Sequence, residues 1–159
     1  MDQLSLSKWL KGLIVCVALI GLAVYGGIIP WVGRDIVLDY PEFSHWFYPW
    51  LIFLWLTAVP CYAALFSGWK IAGNIGADRS FCTENASYLK HVSVLAAVDS
   101  GFFFVGNVVF LFLNMNHPGV VIGSLFVVFV GVCISVAAAA LSHLTKKAAD
   151  LQEQSDLTI

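Results

Sequence analysis

Four uninterrupted apolar runs of about 20 residues, each bounded by polar or turn-forming residues, constrain this chain more than any other feature. A helix rises about 1.5 Å per residue, so a run of that length crosses the roughly 30 Å of hydrocarbon in a bilayer. The runs fall at 12–32, 47–69, 91–113 and 120–144. They predict an all-α fold, an integral membrane four-helix bundle filling 1–159 as a single transmembrane domain, with the lipid bilayer as its first partner and a polar tail at 145–159. Composition adds exclusions. Only 11% of residues are charged and 60% are hydrophobic, where a soluble domain has about 25% charged. Mean hydropathy is +0.85, which rules out a soluble enzyme fold and a disordered chain. A net charge of -2 without a basic face argues against direct nucleic-acid binding.

Between the spans the sequence predicts loops at 33–47 and 70–90. The third link, Asn114-Met115-Asn116-His117-Pro118-Gly119, is so short that spans three and four must form an antiparallel hairpin. Lys8 and Lys11 ahead of an apolar stretch look like the start of a signal peptide. The run continues to Val32 without an Ala-x-Ala site, so it is read as a retained span.

Orientation follows from the eight Lys and Arg residues. With four spans, Lys8, Lys11, Lys70, Arg79, Lys90, Lys146 and Lys147 share one side and Arg34 alone takes the other. Positive residues are retained in the cytoplasm, so both termini and the 70–90 loop are expected there. Trp9, Trp31, Trp46, Trp50 and Trp69 flank the spans as interfacial indoles do, and Trp55 alone lies deep in one. Thr83 is expected to cap the start of a helix that carries Glu84 in its positive first turn. Leu141, Leu144, Ala148 and Leu151 keep helical spacing beyond the last span, so that helix should extend before the final residues fray.

Asp99 is the sharpest chemical feature. An Asp near the centre of a span costs about 2.5 to 3.5 kcal/mol to insert, so it must face protein or water. It lies roughly 13 Å along the helix from Lys90 at 1.5 Å per residue. Ile20, Tyr62 and 135–138 fall near the same level, and none of them is a cation. The carboxyl is therefore interhelical glue, hydrogen-bonded to groups such as Tyr62 or Ser135, or a site for a proton, a cation or a partner helix. Ser100 and Asn107, seven apart, form a polar stripe beside it that reads first as a helix contact.

Gly131, Ser135 and Ala139 repeat every four positions on span four, the spacing that lets helices approach closely in lipid. Pro60 should kink span two by freeing the Leu56 carbonyl, with Thr57 placed to satisfy part of what is freed. Cys16, Cys61 and Cys133 lie within spans and Cys82 lies in the 70–90 loop, so they read as small packing side chains. The missing Cys-x-x-Cys excludes a thiol oxidoreductase. Asp35, Asp39, Glu42 and His45 match no compact metal motif, and His45, His91, His117 and His143 are spread over both sides. No phosphate loop, nucleophile triad or paired carboxylates can be assembled, so no catalytic, cofactor or metal site is expected.

Several stretches together resemble a family of small bacterial membrane proteins known as domain of unknown function 2975. They are Tyr40-Pro41-Glu42-Phe43, Tyr48-Pro49, Leu56-Thr57-Ala58-Val59-Pro60, then Phe81 with Glu84-Asn85 and Leu89, and the terminal Ser155-Asp156-Leu157-Thr158-Ile159. The resemblance implies a four-helix protein of the bacterial plasma membrane, often encoded beside a small helix-turn-helix regulator of the Cro type, and no known catalytic residues. The functional expectation is a non-enzymatic accessory, regulatory, sensory or protective protein acting through a membrane or cytoplasmic partner. Phe81, Glu84, Asn85, Asp156, Leu157 and Ile159 are its expected contact surface. The alternative is a homo-oligomeric transporter or channel subunit using Asp99.

Overall fold

A computed structural model describes residues 2–156. Helix α1 (Gln3–Ala23) passes through a π-helical turn at Val24–Ile28 into α2 (Ile29–Asp39), giving one continuous rod of 37 residues. A short 3₁₀ segment (Pro41–Trp46) leads into α3 (Phe47–Gly76), followed by α4 (Thr83–Phe112) and α5 (Pro118–Asp156). Four helices are long and apolar enough to cross a membrane.

The helices overrun the apolar spans, because loss of hydrophobicity ends the membrane crossing and leaves the backbone free to stay helical. The segment 33–47, expected as a loop, is nearly all helix. It breaks only at Tyr40, which the following Pro41 forces out of the helical region to φ -132 and ψ 80. The loop expected at 70–90 shrinks to 77–82, since α3 runs to Gly76. There Asp78 takes φ 59, and the Arg79 amide donates to the Asn74 carbonyl at 2.9 Å while the Asp78 amide donates to Ile75 at 3.1 Å. That is a Schellman stop built on Asp, one of the few residues besides Gly that tolerate the left-handed region. Helix α4 ends the same way: Asn114 has φ 54, and Met115 and Asn114 donate to Phe110 and Leu111. Pro118 then opens α5, where its missing amide costs nothing. Thr83 does not cap α4. Cys82 occupies the N-cap position, without a side-chain hydrogen bond to the free amides. The tail expected to fray from residue 154 is helical to Asp156.

The helices pack in chain order as an open row: α1 on α3, α3 on α4, and α4 most extensively on α5, with no close approach between α1 and α5. The α1–α3 and α4–α5 seams are lined mainly by small and polar residues, the α3–α4 seam by the buried Phe53 among Trp50, Phe102, Phe103 and Phe110, and most other large apolar side chains point outward. Ser7, Thr57, Ser67, Asn85, Ser93, Ser100, Asn107 and Ser124 are buried, while Leu19, Phe66, Phe126 and Phe129 are exposed. Lipid is as apolar as leucine, so burying leucine stabilises little there, whereas close backbone packing and interhelical hydrogen bonds do contribute.

On α4 the buried residues are Asn85, which turns into the 77–82 turn, and Ala86, Ser93, Ser100 and Asn107, which follow one another at intervals of seven. A period of seven keeps one face on the neighbouring helix along the whole seam. Helix α5 answers with Ser124, Gly131 and Ala138 interleaved with Ser135 and Ser142. Ala138 is buried and Ala139 is exposed, which corrects the four-residue stripe expected for this helix. Ser135 donates to the Ser93 carbonyl at 2.9 Å and Ser142 to the Ala86 carbonyl at 2.6 Å, while the Ser100 hydroxyl fills the space a side chain at Gly131 would need.

Candidate functional site: an intramembrane polar cluster

Pro30 sets the local geometry of the first span. It has no amide to donate and its ring crowds the carbonyl one turn back, which disfavours regular helical bonding just ahead of it. The chain responds with the π turn at Val24–Ile28, in which the Ile29 amide donates to Val24. The Tyr25 carbonyl is left needing a donor, because the residue five positions on is Pro30. Trp55 supplies one: its Nε1 donates to that carbonyl at 2.9 Å. This accounts for the lone tryptophan deep in a span. The signal in the sequence is Gly26-Gly27 followed by Pro30.

The π turn aims Tyr25 at α3. Its hydroxyl lies 3.4 Å from Thr57 Oγ1, and Thr57 in turn donates to the Leu54 carbonyl at 2.7 Å. Thr57 therefore does not serve the Leu56 carbonyl that Pro60 frees. The Tyr25 hydroxyl also neighbours the Cys61 thiol, one turn further along α3. Cys61 Sγ donates to Asp99 Oδ2 at 3.7 Å, the bond that joins α3 to α4 at mid-span. The other carboxyl oxygen, Oδ1, is buried and has no hydrogen-bond partner. Tyr25, Thr57, Cys61 and Asp99 thus form a polar track from α1 across α3 to α4.

Of the residues expected around Asp99, neither proposed partner touches it. Tyr62 reaches the other way and donates to the Ala18 carbonyl at 2.8 Å, closing over Gly21 on α1. Ser135 is committed to Ser93. Ser100 donates to Ala96 at 2.7 Å inside the α4–α5 seam. Asn107, 1% exposed, donates to Phe103 at 2.9 Å and accepts from Asn116 at 3.2 Å, so it holds the α4–α5 turn. The stripe is structural, and Asp99 is rotated away from it toward α3. Sequence spacing left the direction of these groups about each helix axis open. Among the described residues Cys61, expected as a packing residue, is the side chain that bonds Asp99, and Cys16, Cys61 and Cys133 are all exposed.

The expected contact surface divides. Phe81 is 59% exposed and Glu84 is also exposed. Glu84, outside the 91–113 span, has its carboxyl held below the usual carboxylate range by its own backbone amide, then by the Cys82 side chain and the nearby Arg79. Asn85 does not belong to that surface. It is 1% exposed, accepts from Asn74 Nδ2 at 2.8 Å, and donates to the Arg79 and Ser80 carbonyls at 3.2 and 3.0 Å. The orphan carbonyls of the tight 77–82 turn draw it inward. Asp156 ends α5, and Leu157 and Ile159 lie outside the described residues.

The comparisons agree with a membrane protein of this kind. The family model described as "Protein of unknown function (DUF2975)" matches residues 31–159. Over 161 residues, covering all of both chains, this chain is 29% identical to a protein of Bacillus subtilis (strain 168) described as "Uncharacterized membrane protein YoaS". No solved structure matches it. With four apolar helices of spanning length, and with the family model matching from Trp31 through the last residue, the chain belongs to the DUF2975 family of membrane proteins.

Proposed function

We propose that this protein is a non-enzymatic accessory component of the bacterial plasma membrane, with both termini cytoplasmic, that regulates, senses or protects by contacting another protein. The observation that carries this reading is the open row. Among the described residues α1 packs on α3, α3 on α4 and α4 on α5, and α1 and α5 do not approach each other, so each leaves a flank for another protein. At the end bearing the termini, Phe81, Glu84 and the last turns of α5 present an exposed edge to a cytoplasmic partner. Co-purification at native expression level in mild detergent, with the intact mass of the complex, is the test. A stoichiometric unrelated protein is the expected result, and complexes holding only copies of this chain would refute it.

A second reading is supported by the unpartnered Asp99 oxygen. In an oligomer that closes the row, Asp99 becomes a proton or cation site, with Tyr25 and Cys61 beside it. Ion flux in liposomes decides it: Asp99→Asn should abolish flux while leaving expression intact, and normal flux in that variant removes this reading.

A further inference from the structure

Helix α1 and the π turn that follows it meet α3 along Ser7, Ile14, Ala18, Gly21 and Tyr25. At about 100° per residue the opposite face carries Ser5, Lys8, Trp9, Gly12, Leu13 and Cys16. Those residues line a shallow cleft of about 470 Å³. It exists because Gly12 has no atom within 4 Å of where a Cβ would stand, which leaves the backbone bare between Trp9 and Leu13, 75% and 62% exposed.

The cleft is graded along the helix axis. Ser5 and Lys8 supply a hydroxyl and an ammonium at the outer end, and Gly12, Leu13 and Cys16 follow inside the span. From Ser5 to Cys16 is about 16 Å at 1.5 Å per residue, the reach of a headgroup and the upper part of one acyl chain. Lys8 is exposed in the cleft, whereas Lys11 is drawn to the other side, over the Trp69 ring at 5.3 Å. Asp2, the one acid in this stretch, does not line it.

We propose that this cleft binds one anionic phospholipid, with the phosphate on Lys8 and Ser5 and the upper acyl chain against Gly12, Leu13 and Cys16. A phosphodiester offers only acceptors, and the Lys8 ammonium and the Ser5 hydroxyl can both donate to it. A headgroup with net negative charge keeps the full attraction of Lys8, while a zwitterionic one brings its own cation and cancels it. The outer face of α1 is also where the open row meets the bilayer.

The test is native mass spectrometry of the full chain in mild detergent, titrated with phosphatidylglycerol or phosphatidylcholine. One phosphatidylglycerol should be retained in preference, and Lys8→Gln should reduce that preference about fivefold, with Lys8→Arg restoring it. Gly12→Leu keeps the charge and occupies the cleft from a Cβ position with no atom within 4 Å, so it should also release the lipid from a folded chain. Equal retention of the two lipids overturns the proposal, as does retention unchanged in Lys8→Gln and Gly12→Leu. An equal loss in the Lys146→Gln/Lys147→Gln double variant assigns the effect to diffuse basic charge and also overturns it. So does a lipid-free dimer that Gly12→Leu dissociates.

Discussion

Asn85→Ala removes three hydrogen bonds from the turn between α3 and α4. It deletes the acceptor for Asn74 Nδ2 and the donor to the Arg79 and Ser80 carbonyls. All three belong to a side chain that is 1% exposed, so water cannot replace them without opening the turn. At a net 0.5 to 1.5 kcal/mol per bond the loss is about 2 to 4 kcal/mol. For a chain of this size that lowers the thermal midpoint by roughly 5 to 15 °C. The assay is thermal unfolding in detergent followed by intrinsic fluorescence, with Asn85→Asp and Asn74→Ala alongside. Asp keeps the acceptor but turns a buried carboxylate oxygen toward the Arg79 and Ser80 carbonyls, so it should be at least as destabilising as Ala. Asn74→Ala combined with Asn85→Ala should cost less than the sum of the two, because one bond is shared. A midpoint within 1 °C of wild type in Asn85→Ala, on the scale set by the same relation, refutes the buried clamp and returns Asn85 to the contact surface.

The remaining predictions test other seams. Gly131→Ala places a methyl where the Ser100 hydroxyl sits and should destabilise the α4–α5 hairpin by about 1 to 3 kcal/mol, with Gly131→Ala/Ser100→Gly recovering part of it in an unfolding titration. Trp55→Phe leaves the Tyr25 carbonyl without its donor, a loss of about 0.6 to 1.7 kcal/mol for an interhelical bond in a membrane. Pro30→Ala restores a backbone amide and should suppress that loss, and equal effects of Trp55→Phe in both backgrounds would contradict the origin given for the π turn. Asn114→Gly should leave stability within about 1 kcal/mol, whereas Asn114→Val, which resists positive φ, should lower it measurably.

What the sequence determined by itself is a matter of length along one axis. About 20 apolar residues cross the hydrocarbon whatever surrounds them, so an all-helical fold with four helices of spanning length was legible directly. The turn at 114–117 likewise left α4 and α5 no arrangement except a hairpin. Only the tertiary structure decided which way each helix turns about its own axis and which helix it meets. In a soluble protein the apolar face points to the core and reveals that rotation; here apolar residues surround each helix because lipid accepts them on every side, and the small residues that do pack leave a faint trace. For that reason Asp99 met Cys61 instead of Tyr62 or Ser135, Asn85 turned inward, the α5 stripe had a period of seven, and the four helices lay in an open row.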